Sequence, residues 1–417
     1  MKLKLEVYGP RFKIFSDTLS NTSSHPTLNT IIKDQPTGKA AALESLLSII
    51  NKGIEKGLFS FAYFQELICE YVTAAPSSDV RSLCSSLVDH SIHLLSTKPG
   101  SRVVAECAAY GTPKDRKRIM KSLKGYTRSS LLHSDAYIAI LRLLDVTDDT
   151  VTAQKSVLTE LQVFQEEKKK TVGPPESDDD GKDKSGNENK SPILDVALSA
   201  TASKLLLLLL AKDDEARQKY FDPAELEILR SNPTIFQGGE EVPTSKKNQN
   251  TRRLELLQYM KKTLVELCES HAGILLRSRC GSKVLREVYE HYPSRQLSEA
   301  IADATNSTTD DHLVSMFEDP IGHLCVKGIL LNQAASSSAN GGNSLSSALC
   351  TKYNGKLIGN IASSNRGAFV LAAMAEGNQE HVKKEVSLKD IKNIIQLCKK
   401  ENKSVAGYEA LLKAINK

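Results

Sequence analysis

The sequence has 417 residues, is 40% apolar and 25% charged, and carries a net charge of +5. That much apolar material excludes a wholly disordered chain, and the length allows two or three ordinary domains or one long repeat array. Trp is absent and aromatics make up only 5%, so the apolar bulk is Leu, Ala, Ile and Val, which suits packed helices better than β-sandwiches.

The N-terminal stretch MKLKLEVYGPRFKIF lacks the continuous apolar core of a signal peptide. Beyond it the pattern is helical. Leu43, Leu46, Leu47 and Ile50 recur at i, i+3, i+4, i+7, which predicts an amphipathic helix. From Gln165 to Pro192 the chain is charged, Pro/Gly-marked and almost free of large apolar residues, as a disordered linker would be. The longest apolar run, Leu205 to Ala211, is far too short to span a bilayer. Ser231 to Thr251 reads as a mobile loop. Leu254, Leu257, Met260, Leu264 and Leu267 then mark a helix, Asn332 to Ser347 a small-residue loop, and Ile391, Ile394, Ile395 and Cys398 a last helix. The class is all-α, and the chain reads as soluble and intracellular. Its eight cysteines form no C-x-x-C pair and sit in apolar stretches, which suits small buried hydrophobes in a reducing compartment.

Helices this short cannot bury their apolar faces alone, so a repeat is expected. GSRVV at Gly100 is nearly reproduced by GSKVL at Gly281, and looser copies stand at Ala136, Ala202, Gly322 and Gly367, with a weaker one at Phe64. Successive starts are 36, 36, 66, 79, 41 and 45 residues apart. With the linker and the loop discounted, a unit of roughly 36 to 40 residues fits most intervals, the signature of an α-solenoid.

These segments resemble the Pumilio/Puf repeat superfamily, and within it the C-terminal part of the Puf-A (Penguin) subfamily with its CPL region. The carrying phrases are EVYGPRFKIF at Glu6, GSRVVAECAAYGTPKDRKRIMKSLKGY at Gly100, LLDVTDDTVTAQKSVL at Leu143, TRRLELL at Thr251, DPIGHLCVKGILL at Asp319 and SSNRGAFVLAAM at Ser363. The resemblance implies a curved right-handed array. It divides the chain into Puf-type repeats over 1–164, a linker over 165–192 and CPL-region repeats over 193–417, with loops near 231–251 and 332–347. Family members begin with further repeats upstream of EVYGPRF, whereas Met1 stands almost at that phrase. The chain is therefore expected to be a fragment, a truncated gene model or a real short form. Its first helix, near Leu43 to Ile50, should lack a neighbour and expose apolar side chains.

In Puf repeats the first and fifth residues of a five-residue helical window read a base edge, and the second stacks or contacts the backbone. The resemblance places windows opening at Gln65, Ser101, Tyr137, Ser203, Ser282, His323 and Ala368. Their fifth residues are Cys69, Ala105, Leu141, Leu207, Arg286, Lys327 and Ala372, none the Gln or Glu that matches a base edge. The base code is erased in this reading, while cations survive at second positions in Arg102, Lys204 and Lys283. Cations neutralise phosphates whatever the sequence. The stretch Gly100 to Tyr126 adds Lys114, Arg116, Lys117, Arg118 and Lys121, and Lys246 to Arg295 is also strongly basic. The candidate contacts are therefore Arg102, Lys204, Lys283, Arg286, Lys114, Arg116, Lys117, Arg118, Lys121 and Lys327.

Nothing supports catalysis or a cofactor. His90 and His93 lack a third ligand, Gly281-Ser-Lys is not a phosphate loop, and no G-x-G-x-x-G or G-x-S-x-G occurs. No membrane or small-molecule partner is expected. The resemblance implies a nucleolar factor that binds RNA, and DNA as well, without base specificity and assists large-subunit ribosome assembly beside pre-ribosomal proteins. Regulation of mRNA translation also occurs in the family. The rival is a protein-docking scaffold of HEAT or armadillo style.

Overall fold

The computed structural model describes residues 27–34, 36–162, 191, 193–229, 232–306, 315–335 and 344–416. The EVYGPRFKIF phrase and the linker apart from Ser191 lie outside the described residues. Within them the chain is a helical solenoid, and the strands are a single antiparallel pair, Thr234–Gln237 with Glu240–Pro243.

The chain forms two compact units, Met1–Leu161 with Asp213–Leu256, and Gln162–Lys212 with Leu257–Lys417. The division expected at the linker is thus corrected, because residues 213–256 leave the second half of the sequence and pack with the first unit.

In the first unit the Ala62–Ala74, Lys98–Tyr110 and Tyr137–Val146 helices stack in order, each carrying one window. The Lys39–Glu55 helix packs on Ala62–Ala74, and its Leu43, Leu46 and Ile50 are buried. The expected exposed apolar face at this helix is therefore corrected, since the Ala62–Ala74 helix covers it. In the second unit the Ser203–Leu210, Gly281–His291, Gly322–Ala335 and Asn365–Gly377 helices form the same kind of row. The Ala406–Asn416 helix continues it. Leu205 to Leu210 are all buried, and the helix packs on Gly281–His291 and on Leu194–Leu198. Each buried Leu contributes about 1.5–3 kcal/mol.

Six of the seven window helices share one way of starting; the Ala62–Ala74 helix, preceded by Phe61, has no side-chain cap. Three residues before the small residue, a polar side chain accepts that residue's N–H. Thr97 serves Gly100 at 3.1 Å, His133 serves Ala136 at 3.3 Å, and Ser199 serves Ala202 at 3.2 Å. Ser278 serves Gly281 at 3.1 Å, Asp319 serves Gly322 at 2.7 Å, and Ser364 serves Gly367 at 3.2 Å. An orphan donor of the helix N-terminus is satisfied each time. The small residue itself answers a steric demand. A Cβ on Gly100 would lie 2.0 Å from the Leu94 carbonyl oxygen, and one on Gly367 1.7 Å from that of Ile361. Both carbonyls lie six residues upstream, so the sharp entry into the helix brings backbone against backbone.

The expected mobile loop at 231–251 is corrected as well. Thr234–Gln237 and Glu240–Pro243 form a hairpin whose turn, Gly238 and Gly239, takes φ of 65° and 93°. Two positive φ values in a two-residue turn suit glycine and match the right-handed twist of the strands. Thr244 and Ser245 beyond it are buried. The second expected loop shrinks, since 332–335 belong to the Gly322–Ala335 helix and Ser344 caps the Leu345–Lys352 helix; residues 336–343 lie outside the described set.

Gly367→Ala is expected to destabilise the fold by about 1–3 kcal/mol through overpacking. Gly359→Ala, where nothing lies within 4 Å of the new Cβ, should stay within about 0.5 kcal/mol. Urea unfolding of both variants checks the contrast.

Candidate nucleic-acid interface

The window residues that would face a base are largely spent inside the protein. In the first window Gln65 is buried and its amide donates to the Phe59 carbonyl at 2.7 Å, the His93 carbonyl at 3.0 Å and Ser96 Oγ at 2.9 Å. Its carbonyl oxygen accepts from Thr97 Oγ1 at 2.5 Å. Ser101, Ser203, His323 and Ala368 are buried at first positions; Ala105, Leu141, Leu207 and Ala372 are buried at fifth positions. The Tyr137 hydroxyl donates to the Glu225 carboxylate, and burial, followed by that carboxylate, holds its pKa well above the ordinary value.

The candidate cations divide into three groups. Arg116 is only 1% exposed, and its guanidinium is occupied. Nε donates to the Ala108 carbonyl at 2.7 Å, one Nη to the Ala109 carbonyl at 3.1 Å and Thr244 Oγ1 at 2.9 Å, and the other to the Thr244 carbonyl at 3.2 Å. Ala108 and Ala109 are the last turn of the Lys98–Tyr110 helix, so Arg116 caps that helix's C-terminus. Burial draws its pKa down to about 10, which leaves it a cation at neutral pH. Arg116 is thereby removed from the set of nucleic-acid contacts, because its guanidinium is buried against the helix end and four of its five N–H groups are already bonded there.

The second group stands on the Pro113–Ser122 helix. A Thr112–Asp115 capping box and Pro113 in the first turn start this helix. Lys114, Lys117 and Lys121 are spaced i, i+3, i+7 and exposed, opposite the buried Arg116, Ile119 and Met120. Lys117 pairs with Asp149 at 2.8 Å. Arg118 grips Asp89 through Nε at 2.9 Å and an Nη at 2.5 Å, and touches Asp115 at 3.3 Å. This row sits on a different helix from Arg102, the Pro113–Ser122 helix against the Lys98–Tyr110 helix.

The third group stands at window positions. Arg102 is half-buried; an Nη reaches Glu227 at 3.2 Å and Nε lies 3.5 Å from Glu106. Lys204, Lys283, Arg286 and Lys327 are half-buried in the second unit. Arg286 lies along the backbone of Gly328, where a Cβ would stand 3.2 Å from its Cδ. Lys327 Nζ sits 4.8 Å from the centroid of the Phe369 ring, a cation–π pair. Leu324, at a second position, is 57% exposed. The consecutive Gly281–His291, Gly322–Ala335 and Asn365–Gly377 helices thus present cations, an aromatic face and an exposed leucine.

His90 stacks on Phe59 with centroids 3.8 Å apart. Among the described residues no group of three His, Cys, Asp or Glu is placed to hold a metal ion, and no helix is long and apolar enough to cross a membrane. The eight cysteines are free, and burial pushes the Cys325 thiol up to about 12 and the Cys350 thiol to about 11.

Two features escaped the sequence reading. The capping residue three before six of the windows was legible as Ser/Thr/Asp/His-x-x-small; the pattern recurs in SVAGYEAL at Ser404, where the Gly407 N–H is instead accepted by Asn365 Oδ1 at 2.7 Å. The C-terminal capping roles of Arg116, Arg252 and His291 had no local signal. Arg252 Nε donates to the Asp145 carbonyl at 2.8 Å, and His291 Nε2 meets the Leu210 carbonyl at 2.6 Å.

Comparison with known proteins follows the same line. Residues 199–342 match the CPL (NUC119) domain. Pumilio homolog 3 of Mus musculus is 22% identical over 417 residues, covering 98% of this chain and 58% of its own length. Pumilio homology domain family member 6 of Schizosaccharomyces pombe is 25% identical over 315 residues, covering 74% of this chain and 43% of its own length. The chain therefore spans about half the length of the curated relatives it matches. The crystal structure of human Puf-A in complex with DNA aligns with a TM-score of 0.73 at 22% identity, covering 99% of this chain and 72% of that one. In class the chain is similar to Pumilio-type helical-repeat proteins. Within that class, it is similar to those of the Puf-A kind.

Arg116→Ala should cost at least about 2 kcal/mol, since charged hydrogen bonds are worth about 1.5–3 kcal/mol each and three carbonyls lose their donor. Arg116→Lys should not restore the loss, because an ammonium cannot span that fork. Lys117→Ala, an exposed pair, should change stability by less than about 1 kcal/mol. Chemical denaturation of the three variants checks the order.

Asp149 offers a pH test. Its hydrogen bonds from Lys117 and then Thr152 hold its carboxyl at about 2, below the ordinary 3.8. A depressed folded pKa stabilises above the unfolded value and is lost as pH falls through the folded one. The stability gap between the wild type and Asp149→Asn should be full at pH 6, shrink below about pH 4 and vanish only below about pH 2. Denaturant midpoints across that range check it.

Proposed function

We propose that this chain binds RNA, and single-stranded nucleic acid generally, without reading base identity, through the window helices of its second unit. One observation carries the reading. First and fifth positions are mostly buried, while Lys283, Arg286 and Lys327 are half-buried at window positions, Lys327 over the Phe369 ring, and Leu324 is exposed. A base edge then finds few partners, whereas a phosphate finds cations and a base face finds an aromatic ring or leucine. Such a mixture of charge and stacking surface is how sequence-tolerant single-strand binding is built. The human Puf-A structure in complex with DNA supports extending the reading to DNA. On the same resemblance we assign the chain to the nucleolus, to large-subunit ribosome assembly among pre-ribosomal proteins, and to translational regulation. It acts as a binding protein and not as an enzyme.

Each phosphate contact on a single strand contributes about −0.7 to the log–log salt slope. Lys204, Lys283, Arg286 and Lys327 together should give a slope of about −3. Replacing Lys283, Arg286 and Lys327 by Ala should flatten it by about 2 and weaken A-rich, U-rich and mixed RNAs alike. Fluorescence anisotropy at several salt concentrations measures both. A defined 10-mer that outcompetes its scramble by more than about tenfold, roughly 1.4 kcal/mol, would show that base readout survives. No affinity at low salt would instead favour the protein-docking scaffold.

A further inference from the structure

The surface of the first unit is already occupied by an acidic helix of the same chain. Pro223–Leu229, with sequence PAELEIL, carries Glu225 and Glu227 and no base. It packs on the Tyr137–Val146 helix. Glu227 Oε1 accepts from Arg102 at 3.2 Å, at the second position of the window opening at Ser101. Glu225 accepts from the Tyr137 hydroxyl, at the first position of the next window. These are the two residues of adjacent windows that would otherwise offer a cation and a donor to a strand.

The two carboxylates are held differently. Glu225 is buried and reciprocally bonded with Asp222, its Oε2 accepting the Asp222 N–H at 2.8 Å while its own N–H meets Asp222 Oδ1 at 2.9 Å. Glu225 therefore fixes the helix start. Glu227 is 67% exposed at its side chain and touches Arg102 from the solvent side. An exposed ion pair of this kind is worth less than about 1 kcal/mol and is screened by salt, so a phosphate can compete for the guanidinium.

We propose that the Pro223–Leu229 helix is a built-in anionic occupant of the first unit's windows, with Glu227 standing where the phosphate of a nucleic acid would meet Arg102. The proposal rests on the nucleic-acid reading above and refines it: the second unit binds first, and the first unit contributes only when Glu227 yields. Glu106, four residues along the same helix, also faces Arg102 and keeps it oriented whether or not Glu227 is present.

The test is a double-mutant cycle on the full chain with a fluorescent oligo-U 12-mer as probe. Glu227→Gln removes the charge at an exposed position, and circular dichroism checks that it folds like the wild type. The variant should bind about threefold more tightly at low salt and steepen the salt slope by about 0.7, one phosphate contact. Adding Arg102→Ala should abolish that gain, so that Arg102→Ala costs more in the Glu227→Gln background than in the wild type. Salt-dependent binding that does not respond to Glu227→Gln would overturn the occupant and leave the nucleic-acid reading standing. An equal cost of Arg102→Ala in both backgrounds would also overturn it. Absence of binding by every variant would overturn the reading of the surface and this proposal together.

Discussion

A helix buried on all sides must still end somewhere, and its last carbonyls have no partner within the helix. That constraint governs this protein. The Lys98–Tyr110 helix ends on Arg116 and Thr244, the latter donating to the Ala109 carbonyl at 2.6 Å. The Tyr137–Val146 helix ends on Ser245, which donates to the Val146 carbonyl at 2.5 Å, and on Arg252 at the Asp145 carbonyl. Within the second unit His291 meets the Leu210 carbonyl in the same way. Cations also suit the negative end of a helix dipole. The segment that follows the hairpin is thus a strap that closes two helix ends, and its residues are fixed by what those ends lack.

The strap carries its own electrostatic problem. Asp145 is buried and accepts from Arg142 at 3.1 Å, Arg217 at 3.2 Å and Gln249 at 2.7 Å. Asp148 accepts the backbone N–H groups of Lys246 and Lys247 and a guanidinium N–H of Arg252. Buried charges of this kind add little net stability compared with apolar packing, but removing one partner strands the rest. The network ties residues 213–256 to the window helices and explains why this stretch joins the first unit although it follows the linker in sequence.

The same economy shapes the surface. Ala, Leu and buried polar residues occupy most of the first and fifth window positions, and Gln65, the one amide among the first positions, spends its hydrogen-bonding groups on its own repeat. What remains outward is charge and ring surface, concentrated on the consecutive Gly281–His291, Gly322–Ala335 and Asn365–Gly377 helices.

The periodic Leu and Ile positions and the small residue opening most windows are local facts, and they determined the helical class and the repeat; the polar residue three before most of them is equally local. Gly238-Gly239 between alternating residues equally determined a hairpin, although its composition reads as a loop. Tertiary structure alone decided which basic residues face solvent. Arg116, Lys117 and Arg118 are adjacent in sequence; the first is buried, the second pairs with Asp149 and the third grips Asp89. A charge run carries no mark of which member will meet a helix end, because the carbonyls it caps and the carboxylates it pairs with come from distant parts of the chain. The fate of Arg102 was settled the same way: its partner Glu227 lies 125 residues away, and only folding brings an acidic helix onto a basic window.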